Sequence, residues 1–180
     1  MRLHKDNAVG LVIDMQERLF PHMAESDRLL ERTRLLLMGL RLLEVPVMLT
    51  EQYPKGLGPT LEQVMEMQGV TRVSEKLTFS CCGEPGFVKA LENSARSQVL
   101  ICGIETHVCI LQTTLDLMER GFQAVVIADC VSSRSLADKD IALARMRSEG
   151  AVITTAESLL FELTERAGTE QFKAISRLVK

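Results

Sequence analysis

The segment Gln98–Ala128, "QVLICGIETHVCILQTTLDLMERGFQAVVIA", holds the plan of the whole chain in one unit. An apolar run through Cys102 turns at Gly103, and Val108, Leu111, Leu115 and Met118 then recur at spacings of three and four, the stripe of an amphipathic helix. Gly121 supplies a helix stop, and a second β-branched run begins at Gln123. Strand, helix, strand in that order is a βαβ unit, which lays its two strands parallel in one sheet. Gly103 to Cys109 form the strand-to-helix turn, a place where open α/β sheets present reactive groups to ligands.

Outward from this unit the pattern repeats. The other strands are expected at Val9–Ile13, Val45–Leu49, Thr71–Ser74 and Ala151–Thr154, beside Gln98–Cys102 and Gln123–Ala128. A helix is expected over Ser26–Leu43, with Leu29, Leu36, Leu40 and Leu43 on one stripe. Thr154 and Glu157 have capping-box spacing, so another helix should follow the last strand. The strands are apolar throughout rather than alternating, as expected when helices cover both faces. The fold class is therefore α/β, a doubly wound three-layer sandwich. Gln52–Pro59, "QYPKGLGP", and Leu77–Pro85, "LTFSCCGEP", read as surface loops that wall a pocket.

At 180 residues, with no repeat or low-complexity linker, the chain is expected to be one domain spanning residues 1–180. A net charge of −3 without a basic stripe gives no footprint for nucleic acid, which leaves a small-molecule substrate as the expected partner. No apolar run reaches the roughly 18 residues of a membrane span, and the N-terminus lacks a signal-peptide pattern. Five cysteines in no paired framework fit a reducing cytoplasm, with Cys81 and Cys82 read as free loop thiols. Apolar positions Phe172, Ile175, Leu178 and Val179 near the end of the chain serve either a packed terminal helix or an interface between copies.

Ligands bind beyond the carboxyl ends of parallel strands, and three ionisable residues stand at such ends: Asp14, Lys76 and Cys109. A helix N-terminus and a nearby cation would lower the thiol pKa of Cys109 and favour its nucleophilic form. Asp14 has the chemistry to take the thiol proton and return it to a leaving group, and Lys76 to orient Asp14. Each also has a structural reading, as a buried small apolar residue, a turn former and a solvated surface charge. Taken singly, the residues leave both readings open.

"LVIDMQERLF", "SEKLTFS" and "CGIETHVCILQTTLDLMERGF" resemble the three motifs of the isochorismatase-like cysteine hydrolases, in the family's order. "RLLEVPVMLTEQYPKGLGPT", "SSRS" and "ALARMRSEGA" resemble its isochorismatase domain-containing branch, and the likeness runs from about Asp14 to Lys173. The resemblance implies an Asp14, Lys76, Cys109 triad on a Rossmann-like six-stranded parallel sheet ordered 3-2-1-4-5-6. It further implies a cis peptide between Ile104 and Glu105, and an oxyanion hole from the backbone amides of Glu105 and Cys109. The implied activity is hydrolysis of a small amide or related acyl bond through a thioester, by a homo-oligomer without a cofactor. A binding or scaffold protein that retains the triad is the alternative.

One departure bears on metal. Nicotinamidases of the family carry an Asp-x-His motif after the second strand, where this chain has Thr50, Glu51, Gln52 and Tyr53. His4, His22 and His107 stand at unrelated spacings, so no metal is expected. Retention of Cys109 argues against the vinyl-ether chemistry of the family members that have lost the cysteine. Gln16, Phe20, Gln52, Tyr53 and Thr106 are the expected substrate contacts, with Leu77, Phe79 and Ile110 as an apolar wall. His107 is expected to be exposed, and Arg134 in "SSRS" to serve an interface or a substrate carboxylate.

Overall fold

Every residue of Ala8–Ile13 is buried, because this first strand (β1) lies at the centre of the sheet with helices on both sides. The structure, a computed structural model, describes residues 2–67 and 73–180. Around β1 stand β2 (Val47–Gln52), β3 (Val73–Lys76), β4 (Gln98–Ile104), β5 (Gln123–Ser132) and β6 (Val152–Thr154). All five pairings are parallel, and the strand order is β3-β2-β1-β4-β5-β6. The order reverses between β1 and β4, which is where a doubly wound sheet opens a crevice at its carboxyl edge.

The helices are α1 (Ser26–Leu42), α2 (Pro54–Leu57), α3 (Glu62–Met65), α4 (Pro85–Asn93), α5 (Leu111–Glu119), α6 (Leu136–Ser148), α7 (Ala156–Thr164) and α8 (Glu170–Leu178). They split the core into two layers. Val12 of β1 packs with Leu36 and Leu40 of α1, Leu160 and Leu163 of α7 and Ile175 of α8. Val9, Leu11 and Ile13, which alternate with Val12, pack with Phe87 and Leu91 of α4, Leu117 of α5 and Met146 of α6. The apolar stripe of the terminal helix thus folds back on its own domain, and the rings of Phe161 and Phe172 meet at 6.2 Å.

Several boundaries differ from the sequence reading. The second strand begins at Val47, because Pro46 cannot donate to the ladder, and it runs on to Gln52. Of the strand expected at Thr71–Ser74, Thr71 and Arg72 lie outside the described residues; Val73 and Ser74 belong to β3, which continues to Lys76. The fourth and fifth strands extend to Ile104 and Ser132. The Thr154–Glu157 capping box does not form, since the N-cap of α7 is Thr155 without a side-chain bond. Asp129 Oδ1 accepts the Ala156 amide at 2.8 Å instead, so a carboxylate from the neighbouring strand caps this helix.

Gly103 pairs with Ile13 across the β1–β4 ladder at φ +118°, and a Cβ placed on it would collide with the Ile13 backbone. The same point carries a register shift between β4 and β5. Glycine here lets β4 lean against β1 immediately before both strands end.

Candidate active site

β1 ends at Ile13, and Asp14 follows with φ 53°, a left-handed conformation that Asp adopts more readily than most residues. This turn points the carboxyl into the crevice, where it is fully buried. Thr50 Oγ1 of β2 donates to Asp14 Oδ1 at 2.9 Å, and the Lys76 ammonium lies 2.6 Å from Oδ2. Lys76, the last residue of β3, is 3% exposed, and its Nζ also donates to Gln52 Oε1 at 2.7 Å and to the Phe79 carbonyl at 3.1 Å. Burial works against the Lys76 charge, yet Asp14 with the thiols of Cys109 and Cys81 outweighs it, and the ammonium holds its proton beyond the usual range. Burial also raises the Asp14 carboxyl, against the pull of Lys76 and Thr50.

The third group arrives after β4. The peptide between Ile104 and Glu105 is cis, and residues Thr106–Ile110 form a single wide helical turn in which Ile110 N and Val108 N both donate to Glu105 O. Such turns recur at functional sites because they re-aim one side chain. The turn carries Cys109, 6% exposed, whose thiol and the Asp14 carboxyl act directly on each other's proton affinity. The structure therefore brings Asp14, Lys76 and Cys109 together.

The electrostatics differ from the sequence expectation of an acidic thiol. Burial and the Asp14 charge push the Cys109 thiol up to about 12, with Lys76 acting in the opposite direction. Cys109 is not at the N-terminus of a regular α-helix, since α5 starts only at Leu111. At rest the proton therefore belongs to sulfur.

Cys81 also reaches this centre, which the sequence reading of adjacent loop thiols missed. It is fully buried, with Sγ 3.9 Å from Thr50 Oγ1 and its amide donating to Thr113 Oγ1 at 3.0 Å. Burial and Asp14 raise its thiol to about 12 as well. No spacing signal marks it, because Cys81 meets Asp14 only through the fold.

The expected substrate contacts divide. Gln16 is committed elsewhere: its Nε2 donates to the Gln52 and Gly58 carbonyls, and its Oε1 accepts from Gln52 N. Phe20 lies in the core layer beneath α1. Gln52 turns its oxygen to Lys76 and its nitrogen to the Leu77 carbonyl. Thr106 Oγ1 is buried with no hydrogen-bond partner among the described residues. Tyr53, at 50% exposure, lines an open cavity of about 230 Å³ with Pro54, Lys55, Glu75, Lys76 and Leu77. Leu77 and Phe79 stand out in solvent, whereas Ile110 is core. His107 is half-buried rather than exposed, its Nδ1 2.9 Å from Ser133 Oγ. Arg134 pairs with Glu105, Nε to Oε2 at 3.1 Å.

At the carboxyl end of β2, Thr50 serves Asp14, Glu51 accepts from Thr60, and Gln52 serves Lys76, so all three are engaged within the protein. Among the described residues no three His, Cys, Asp or Glu side chains converge as a ligand set. No described helix is long and apolar enough to cross a membrane.

Known proteins resemble this chain over nearly its whole length. Isochorismatase domain-containing protein 2A of Mus musculus is 43% identical over 180 residues, covering 99% of this chain and 85% of the relative. A solved structure from Caenorhabditis elegans described as MAR1 ribonuclease superposes with a TM-score of 0.94 at 35% identity, over 99% of this chain and 92% of that one. YcaC from Pseudomonas aeruginosa, solved with hexane-2,5-diol and covalent acrylamide, gives 0.90 at 28% identity over 97% and 89%. The isochorismatase domain model matches residues 8–158, and the chain belongs to the isochorismatase family of hydrolases.

Proposed function

We propose that this protein is a cysteine-dependent hydrolase that cleaves a small amide or related acyl C–N bond through a thioester on Cys109. The observation that carries this reading is a buried Asp14 that Lys76 holds at 2.6 Å and that acts directly on the proton affinity of the buried Cys109 thiol. In the first half-reaction Asp14 takes the thiol proton as sulfur attacks the carbonyl carbon. The C–N bond then breaks, and the leaving amine takes that proton from Asp14. In the second, Asp14 takes a proton from water as its oxygen attacks the thioester. The C–S bond breaks, and the proton returns to Cys109 sulfur. The raised Asp14 pKa makes it the stronger base that a thiol near 12 demands.

The backbone amides of Glu105 and Cys109 are assigned to the oxyanion, whose stabilisation by one such donor is worth about 3 kcal/mol in comparable sites. Tyr53 and the unpartnered Thr106 hydroxyl are assigned to the substrate. No metal or cofactor takes part in this scheme, and residues 1–180 act as one domain. The Pseudomonas relative is described with covalent acrylamide, a reagent that nucleophiles attack at its alkene carbon, which supports a reactive nucleophile in this fold. Exposed Leu77, Phe79 and Ile141 support assembly as a homo-oligomer, and a monomer in sedimentation would remove that part of the reading.

A panel of small amides scored for ammonia release tests the proposal, with Cys109→Ala as control. Release that depends on Cys109 supports it; release unchanged in Cys109→Ala overturns the mechanism. No release from any amide, with tight binding of one of them, would favour the non-catalytic reading. Carrying the nematode relative's description to this chain predicts RNA cleavage, which the net charge of −3 disfavours and an RNA digest checks.

A further inference from the structure

The Lys76 ammonium has three protons and meets acceptors on three segments: Asp14 Oδ2 at 2.6 Å, Gln52 Oε1 at 2.7 Å and the Phe79 carbonyl at 3.1 Å, with the Thr78 carbonyl farther off at 3.4 Å. A buried ammonium whose protons all point at protein acceptors has none left for a substrate. Its position is therefore set by those acceptors, and Gln52 is the one neutral side chain among them.

Gln52 is in turn fixed at every polar atom. Its Nε2 donates to the Leu77 carbonyl at 2.9 Å, which leaves Oε1 as the atom facing Lys76 and settles the orientation of the amide. Its backbone is clamped by fully buried Gln16, whose Oε1 accepts from Gln52 N at 2.8 Å and whose Nε2 donates to Gln52 O at 3.0 Å. The second Gln16 donor bond, 2.7 Å to the Gly58 carbonyl, ties the clamp to the end of the Pro54–Leu57 turn. A chain of contacts thus runs from Gln16 through Gln52 and Lys76 to Asp14 and Cys109.

We propose that Gln52 is a positioning residue for the reactive centre: it holds the Lys76 ammonium against Asp14 and, being uncharged, leaves that ammonium's charge undivided for the Asp14 carboxyl and the Cys109 thiol. This deepens the hydrolase reading and rests on it for its purpose. The charged and titratable groups that act on Lys76 are Asp14 from the end of β1, Cys109 from the turn after β4, Cys81 from the turn after β3 and, at the surface, Glu84. A carboxylate at position 52 would compete with the first two for one cation.

Gln52→Glu tests this, because it keeps the shape and the acceptor oxygen facing Lys76 and adds a charge, at the loss of the Nε2 bond to the Leu77 carbonyl. Alkylation of Cys109 by iodoacetamide is followed by peptide mass analysis from pH 7 to 9.5, with Cys82 as internal reference. Cys82 answers to Asp116 and Arg120 rather than to Lys76. The expected result is a rising limb for Cys109 displaced by about one pH unit, about a tenfold lower rate at each pH, with the Cys82 rate and the thermal midpoint unchanged. Gln52→Met, which removes the acceptor, is expected to displace the limb in the same direction and serves if Gln52→Glu fails to fold. A Cys109 limb that coincides with the wild type in the folded variant overturns the proposal, as does a fall in Cys82 by the same factor. Alkylation needs no turnover, so failure to hydrolyse any amide would sink the hydrolase reading while leaving this result to be read.

Discussion

The turn after β4 and the turn after β3 each carry a buried cysteine to the Asp14–Lys76 pair, Cys109 from one and Cys81 from the other. Both thiols are pushed to about 12 by burial and by the Asp14 charge, so acidity does not tell them apart. Partners do. The Asp14 carboxyl acts on the Cys109 thiol both as a charge and as a side-chain partner, whereas it acts on Cys81 as a charge alone, and the Cys81 sulfur lies 3.9 Å from the Thr50 hydroxyl that donates to Asp14. Cys109 also keeps a trace of exposure that Cys81 lacks. On the proposed mechanism the nucleophile is set apart by its proton acceptor and its path to solvent, rather than by a low resting pKa.

The largest effect is expected from exchanging the two thiols for alanine once an amide substrate is in hand. Cys109→Ala should lower turnover by at least about a thousandfold and Cys81→Ala by no more than about tenfold, measured as ammonia release. Comparable losses in the two would erase the distinction. Asp14→Asn should separate ionisation from catalysis. It removes the charge that holds the proton on Cys109 and leaves Lys76 nearby, so alkylation at pH 8 should accelerate while hydrolysis falls at least about a hundredfold. If both rates fell together, Asp14 would be a structural support for the turn and not the base.

Lys76→Met should cost about 3 to 5 kcal/mol of folding stability near pH 8 by denaturant titration, because it strands a buried carboxylate. The sign of its pH dependence follows from the raised ammonium pKa. The stabilisation is fully present below the ordinary lysine value near 10.5 and fades as pH rises through the folded one, so the gap between wild type and variant should narrow there. A gap that widened instead would mean Lys76 is held neutral. The smallest effect is expected from the stability of Cys81→Ala, a loss of about 1 to 2 kcal/mol from one sulfur-sized void. A loss of 4 kcal/mol would show that the Cys81–Thr50 contact braces the whole centre.

The layers of the fold were legible because the helix stripe at Val108, Leu111, Leu115 and Met118 and the two apolar runs flanking it obey short-range periods. Asp14, Lys76 and Cys109 were legible as groups at strand ends, and the family motifs singled them out. Cys81 and the work of Gln16 and Gln52 were not, since these depend on which segments the strand order places side by side. Cys81 and Cys82 look alike in sequence, yet one faces the Thr50 hydroxyl and the other falls under Asp116 and Arg120. The acidity of Cys109 was misread for a related reason: a nearby lysine is visible in sequence order, but the burial that outweighs it is a property of the packed crevice.

At Gly103 the β4 backbone rests directly on Ile13, one residue before Asp14 and six before Cys109. The spacing between sulfur and carboxyl is thereby inherited from the pitch of neighbouring strands, about 4.8 Å, and not from the loops above them. Loop swaps at Pro54–Leu57 or at Leu77–Gly83 can therefore retune what enters the crevice while Asp14 and Cys109 stay in gauge, whereas a single methyl group on Gly103 would throw them out.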